Sequence, residues 1–155
     1  MNNKLAKPRL QIIRGLPGSG KTTLALDRYS HLMRIETDMF FMRDGRYTFT
    51  LDLNKKAVKW FNKTVRDMAK TGMDFVVTGV FAAHTERLAT TIAAGLDNGY
   101  EVYIKTLARD YGNIHNVPQD HLKAMKDSFV SDRKLRKVYE AKEIHFGLMP
   151  RGFKV

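Results

Sequence analysis

Apolar residues along the chain fall into two kinds of block: short continuous runs and longer stretches with helical spacing. Leu10, Ile12 and Ile13 lie in a short apolar run over residues 9–14 that feeds a glycine turn, which predicts a buried strand. From Thr22 to about Met33, Leu24, Ala25, Leu26, Tyr29 and Leu32 recur at helical spacing, and a second short strand is predicted at Met33–Glu36. Asp44-Gly45 marks a turn, with Tyr47 and Phe49 alternating behind it. Between Leu51 and Lys70, the residues Ala57, Val58, Trp60, Phe61, Val65, Met68 and Ala69 define an amphipathic helix closed by Gly72. The run "MDFVVTGVF" over 73–81 reads as a strand buried on both faces. A helix over 85–97 ended by Asn98-Gly99, a strand over "YEVYIKTL", and a helix opened by Pro118 and running basic toward Lys137 complete the pattern.

Strands alternating with helices imply right-handed crossovers, hence an α/β fold with a parallel sheet and helices on both faces. Ligands in such sheets bind beyond the carboxyl ends of the strands. No internal repeat, low-complexity tract or linker interrupts the 155 residues, so a single domain over 1–155 is expected.

The first strand end carries "RGLPGSGKTT", in which Gly15 and Gly20-Lys21-Thr22 have the spacing of a phosphate-binding loop. The strand before it and the helix after it are the context this motif needs, and they specify the sheet as the P-loop NTPase type. Each position has a physical task. Gly15, Gly18 and Gly20 let the backbone curl with its amides turned inward, and Pro17 stiffens the loop. Amides from Gly18 through Ser19 to Thr22 and Thr23 donate to phosphate at the positive end of a helix. Lys21 reaches the β- and γ-oxygens of ATP, and the Thr22 hydroxyl ligates Mg²⁺.

A motor or a GTPase needs a strand ending in a carboxylate or an NKxD base reader. "DFVVTGV" ends in Thr78-Gly79 and no NKxD occurs, which favours a kinase. Asp38, at the end of the second strand, is then the candidate base for an acceptor hydroxyl, against the alternative of an Asp capping the next turn. Glu36 is expected to point to the opposite face. His31 and His84 read as helix-surface or capping residues. Phe40, Phe41, Tyr47 and Phe81 read either as base-stacking groups or as core closure.

Charge adds a partner. Twenty-seven Lys and Arg against sixteen Asp and Glu give +11. A C-terminal segment from about 133 holds seven basic residues (Arg133, Lys134, Arg136, Lys137, Lys142, Arg151, Lys154) against Glu140 and Glu143. The first fourteen residues add four basic groups and no acid. Such an excess attracts polyanions, of which nucleic acid is the commonest in cytoplasm, so nucleic acid is the expected partner. Absence of cysteine and of a long apolar run predicts a cytoplasmic protein with no membrane span. Oligomeric state is not encoded legibly.

From about Arg9 to Phe129 the ordered set "RGLPGSGKTT", "ETDMFF", "DGRYTF", the Trp60 helix, "HTERL", "NGYEV" and "NIHNVPQDHLKAM" resembles the polynucleotide-kinase-like P-loop kinases. That group includes phage-type 5′-hydroxyl polynucleotide kinases and phage kinases acting on hydroxymethyluracil in DNA. The resemblance implies ATP and Mg²⁺ residues at Lys21 and Thr22 and a general base at Asp38. Asn113, His115, Val117 and Pro118 match the segment after the nucleotide lid, with His115 a candidate hinge. Two departures stand out. The family's Asp-x-Thr-Asn stretch, whose Asp holds the acceptor, is replaced by Thr78-Gly79-Val80-Phe81. The loss of charge and bulk is expected to widen the acceptor side, which suits a hydroxymethylated base better than a 5′-hydroxyl. The lid arginine is replaced by Gly112, which leaves Arg109 either as the phosphate clamp or as a solvated surface group. A kinase for a small nucleoside or nucleotide, and a non-catalytic ATP-binding interaction protein, are the alternatives.

Overall fold

The computed structural model describes residues 6–36, 42–43, 46–47, 50–83, 85–109 and 118–150. In chain order they form β1 (Arg9–Gly15), α1 (Lys21–Tyr29), β2 (Met33–Glu36), the short β3 (Met42–Arg43) and β4 (Arg46–Tyr47), and α2 (Leu51–Lys70). Then come β5 (Phe75–Gly79), α3 (Glu86–Asp97), β6 (Glu101–Leu107), α4 (Gln119–Ser128), α5 (Asp132–Val138) and β7 (Ile144–Phe146). Strands β3 and β4 pair antiparallel by themselves. The other five make one parallel sheet in the order β2-β5-β1-β6-β7. The expected α/β architecture is therefore present, with β1 at the centre.

Alternation along the strands divides the core into two layers. Leu10, Ile12, Ile35, Phe75, Val77, Val102 and Ile104 meet Phe61 and Val65 of α2, Leu88 and Ile92 of α3, and Leu135 of α5. On the opposite face Ile13 and Val76 pack on Ala25 and Tyr29 of α1 and on Met149. Burying each such large apolar side chain stabilises the fold by about 1.5–3 kcal/mol. Thr50, Thr85 and Ser131 start α2, α3 and α5 by accepting hydrogen bonds from Leu53, Leu88 and Lys134 amides. Each cap contributes about 1 kcal/mol. Among the described residues no helix is long and apolar enough to cross a membrane.

Three boundaries differ from expectation. Helix α1 ends at Tyr29 rather than near Met33, because the chain turns there with Leu32 N–H bonded to Tyr29 O at 3.0 Å before β2 begins. The single basic helix expected after Pro118 is two helices. Phe129 takes an extended backbone, and Val130 donates its amide to Ala82 O at 2.6 Å instead of to a helical carbonyl. The C-terminal segment also holds an unforeseen strand, β7, too short for its periodicity to show.

Two polar side chains of β1 are wholly buried, and both serve the fold. Gln11 accepts from Met149 N (2.7 Å) and Tyr29 Oη (3.2 Å), and donates to carbonyls including that of Gly147. It thereby docks the chain beyond β7. The Arg14 guanidinium donates to Phe81 O (3.0 Å), Ala82 O (3.1 Å), Val130 O (2.8 Å) and Thr106 Oγ1 (3.2 Å). It lies 3.5 Å from Asp132 Oδ1 and 4.2 Å from the centre of the Phe129 ring. Burial lowers its pKa from the ordinary arginine value, and the Asp132 carboxylate opposes that shift. Arg14, counted above as part of the surface charge, is an internal fastening.

Replacing Arg14 with Met would keep the bulk but leave the Phe81 and Val130 carbonyls without their donor and Ala82 O with only the Val130 amide. The expected loss is about 3 kcal/mol or more of unfolding free energy. Chemical denaturation of the two proteins checks this, and an unchanged midpoint would mean that water satisfies those carbonyls equally well.

Candidate functional site

The phosphate-loop sequence joins β1 to α1 at the carboxyl edge of the sheet, beside the central strand and between its two neighbours. Gly18 and Gly20 have φ of 80° and 93°, a left-handed backbone that glycine adopts without steric cost. Ser19 N–H donates to Leu16 O at 3.1 Å and closes the turn. Unlike α2, α3 and α5, helix α1 starts behind Gly20 with no side-chain cap, so its first amides have no internal acceptor. Lys21 is 8% exposed, and its Nζ arches back to Gly15 O (2.8 Å) and Leu16 O (3.0 Å). Ser19 Oγ is buried with no hydrogen-bond partner among the described residues. Uncapped amides, an orphaned hydroxyl and a cation within one turn of chain fit a phosphate group, and the hydroxyl of Thr22 fits its divalent cation. Thr22 and Thr23 are exposed in the first turn of α1.

Glu36 corrects the sequence expectation. Its Oε1 accepts from Thr22 Oγ1 at 2.9 Å and sits 3.0 Å from Arg34 Nε. Residues two apart on a strand share a face, and Arg34 and Glu36 share the face of Val76 and Ile13, which is the α1 side. Ile35 takes the other face, in the core with Phe61. Glu36 therefore reaches the loop rather than pointing away. Asp38, the candidate base, lies outside the described residues, as do Phe40, Phe41, His84, Gly112, Asn113, His115 and Val117.

The segment that replaces the acceptor Asp is closed, not widened. Phe81 is 2% exposed and packs on Phe61 with ring centres 5.9 Å apart. Its φ of 43° is a left-handed conformation that costs an L residue about 1–2 kcal/mol, offset by burial of the ring. A Cβ at position 79 would stand 2.8 Å from that ring, so glycine is what admits it. Phe81 is thus a core residue whose ring fills the space beside Gly79, and Thr78, at the position of the family's Asp, is itself buried. His31 is exposed, as expected.

Beside the loop lies a cavity of about 420 Å³, lined by Leu16 and Pro17, by Thr106 to Arg109 at the end of β6, and by Gln119, Leu122, Lys126 and Phe129. Mostly apolar walls with a few polar groups are the usual make-up of a small-molecule site. Arg109 borders the cavity. The floor is fastened from below, since Phe129 rests on the Arg14 guanidinium. On α5 the side chains of Arg133, Lys134, Arg136 and Lys137 are all exposed, and Arg136 lies 4.9 Å from the Phe146 ring centre.

No protein-family profile matches the sequence. Solved structures do resemble the fold. One belongs to the Pnkp1/Rnl/Hen1 RNA repair complex, with 17% identity and a TM-score of 0.64 over 99% of this chain and 51% of that one. Kti12 from Chaetomium thermophilum, solved with ADP-AlF3, shows 12% identity and a TM-score of 0.60, covering 88% and 87%. A putative kinase from Chloroflexus aurantiacus shows 21% identity and a TM-score of 0.50, covering 66% and 60%. The fold is the expected P-loop NTPase-type α/β sheet. The chain spans only about half to three-fifths of the length of the first solved chains it matches.

The Gly79–Phe81 fit is open to direct test. Gly79→Ala should cost about 1–3 kcal/mol of stability through overpacking. In a Phe81→Leu background the same change should cost less, a coupling read from denaturant midpoints. Strict additivity would mean the ring is not held against position 79.

Proposed function

We propose that this protein is a P-loop kinase that transfers the γ-phosphate of ATP to a hydroxyl carried by nucleic acid, DNA in the first place. The observation that supports it most is the loop itself: uncapped α1 amides, the buried unpartnered Ser19 hydroxyl and the Lys21 ammonium converge within one turn beside a largely apolar cavity. Lys21 and the amides from Gly18 to Thr22 neutralise the phosphates, and Thr22 holds Mg²⁺, whose charge helps to polarise the transferred group. Asp38 accepts the proton of the acceptor hydroxyl as its oxygen attacks the γ-phosphorus, and ADP departs. Arg109, on the cavity edge, clamps the phosphates. The compartment that suits such a protein, with no cysteine in the chain, is the cytoplasm.

The exposed basic face of α5 supports a polyanionic acceptor. A 5′-hydroxyl end and a hydroxymethylated base both remain compatible acceptors, although the closed Phe81 side removes the reason for preferring the second. A second reading, a small-molecule kinase, is favoured by the role of the basic segment in folding. Strand β7 and Met149 dock by apolar contact and through Gln11, so that segment has a use without nucleic acid.

In a transfer assay with γ-labelled ATP over DNA, RNA and nucleosides, Asp38→Asn should lower the rate by about 10²–10⁴ while ATP affinity holds. Lys21→Ala should lower both. Equal loss of nucleotide binding in Asp38→Asn would make that residue structural or metal-binding.

DNA affinity should fall steeply with salt, and neutralising Arg133, Lys134, Arg136 and Lys137 together should flatten the slope. A salt-independent interaction, or none, would move the small-molecule kinase to first place.

A further inference from the structure

Strand β5 ends in Thr78-Gly79 and supplies no carboxylate beside the loop, yet the neighbouring strand does. Glu36 is paired in register with Thr78 and extends along the same face of the sheet to the Thr22 hydroxyl, 2.9 Å away. A threonine hydroxyl has one proton and two lone pairs. With its proton committed to Glu36, Thr22 offers lone pairs to anything else that approaches, which is what a hard oxygen-seeking cation requires. The carboxylate is itself steadied, since Arg34 Nε lies 3.0 Å from the same Oε1 and the Glu36 side chain is 14% exposed. Among the described residues both of these contacts fall on Oε1, which leaves Oε2 as an acceptor for a cation-bound water.

We propose that Glu36 is the positioning carboxylate of the divalent-cation site: it orients the Thr22 hydroxyl through Oε1 and holds the cation's water shell through Oε2, the task that β5 leaves unfilled. This rests on the phosphate-loop reading above. Glu36 acts through Thr22 and through water, so it is a positioning residue rather than a catalytic one. A purely structural link between β2 and α1 would show the same hydrogen bond but would be indifferent to the cation.

The discriminating experiment is an ATP titration of the full chain, followed by fluorescence of a labelled nucleotide or by calorimetry, once with Mg²⁺ and once with EDTA. Glu36→Gln should weaken binding about tenfold in Mg²⁺ and leave it nearly unchanged in EDTA. The Mg²⁺ concentration giving half-maximal binding should rise by a similar factor. Equal losses in both media, or no loss in Mg²⁺, would overturn the proposal. Where Glu36→Gln melts too early to titrate, Arg34→Gln serves instead. It frees the carboxylate to turn, and a smaller, threefold loss confined to Mg²⁺ is expected, with its absence counting against the proposal. Wild-type protein that binds no nucleotide in either medium would overturn the phosphate-loop reading and this inference with it, whereas nucleotide binding with an indifferent Glu36→Gln overturns the inference alone.

Discussion

The Arg14 guanidinium is withdrawn from water one residue before the glycine that ends β1, and a charge so placed is tolerated only where its surroundings are fixed around it. Its acceptors come from three separate stretches: Phe81 and Ala82 after β5, Thr106 near the end of β6, and Val130 with Asp132 at the break between α4 and α5. Thr106 in turn donates to Asp132, closing the network. All three stretches lie at the carboxyl edge of the sheet. The demand of one cation for acceptors therefore sets where the wall of the cavity stands relative to the root of the loop. It also accounts for the break after α4, because a continuous helix would keep the Val130 carbonyl and amide for itself.

That constraint explains which parts of the fold were legible in the sequence. Periodicity is local, so β1, β2, α2, α3 and β6 could be read from the spacing of their apolar residues, with α2 matching Leu51–Lys70 end to end. What failed depended on distant partners. The division of the basic helix is imposed by Ala82 and Arg14, neither of which is near it in sequence. Strand β7 is three residues long, and it pairs with β6 through Val102, Tyr103 and Ile104 rather than through any pattern of its own. Gln11, a polar residue in an apolar run, signals a buried acceptor only once Met149 and Tyr29 are seen around it.

The candidate site was legible where backbone chemistry dictates residue type and opaque where side chains meet across strands. Gly18 and Gly20 occupy the left-handed conformations their spacing implied. The Thr22–Glu36 contact was missed for a different reason. Alternation along β2 puts Glu36 on the face of Arg34, the α1 side, but nothing in the strand's own pattern says that Thr22 waits there. Core closure was one of the two readings of Phe81, but its fit over Gly79 had no sequence signal. The missing carboxylate reads as open space, yet Thr78 in its place is buried and the next residue, Gly79, is covered by the Phe81 ring, bent back by a positive φ.

Charge needs the same redistribution from a count to a location. Of the basic groups near the start of the chain, Arg14 is internal, Arg9 is paired with Asp74 at 3.2 Å, and Lys7 lies 3.6 Å from Glu101. A cation paired at that range contributes little to the field a Debye length away, about 10 Å at ordinary ionic strength. The groups that face water with like-charged neighbours are elsewhere: Arg133, Lys134, Arg136 and Lys137 on α5, and Lys55, Lys56 and Lys59 near the start of α2. Both helices pack on the same face of the sheet, through Leu135 and Phe61. An approaching polyanion would therefore be drawn to the α2–α5 side, opposite the layer formed by α1. The local field is set by this placement rather than by the formal +11.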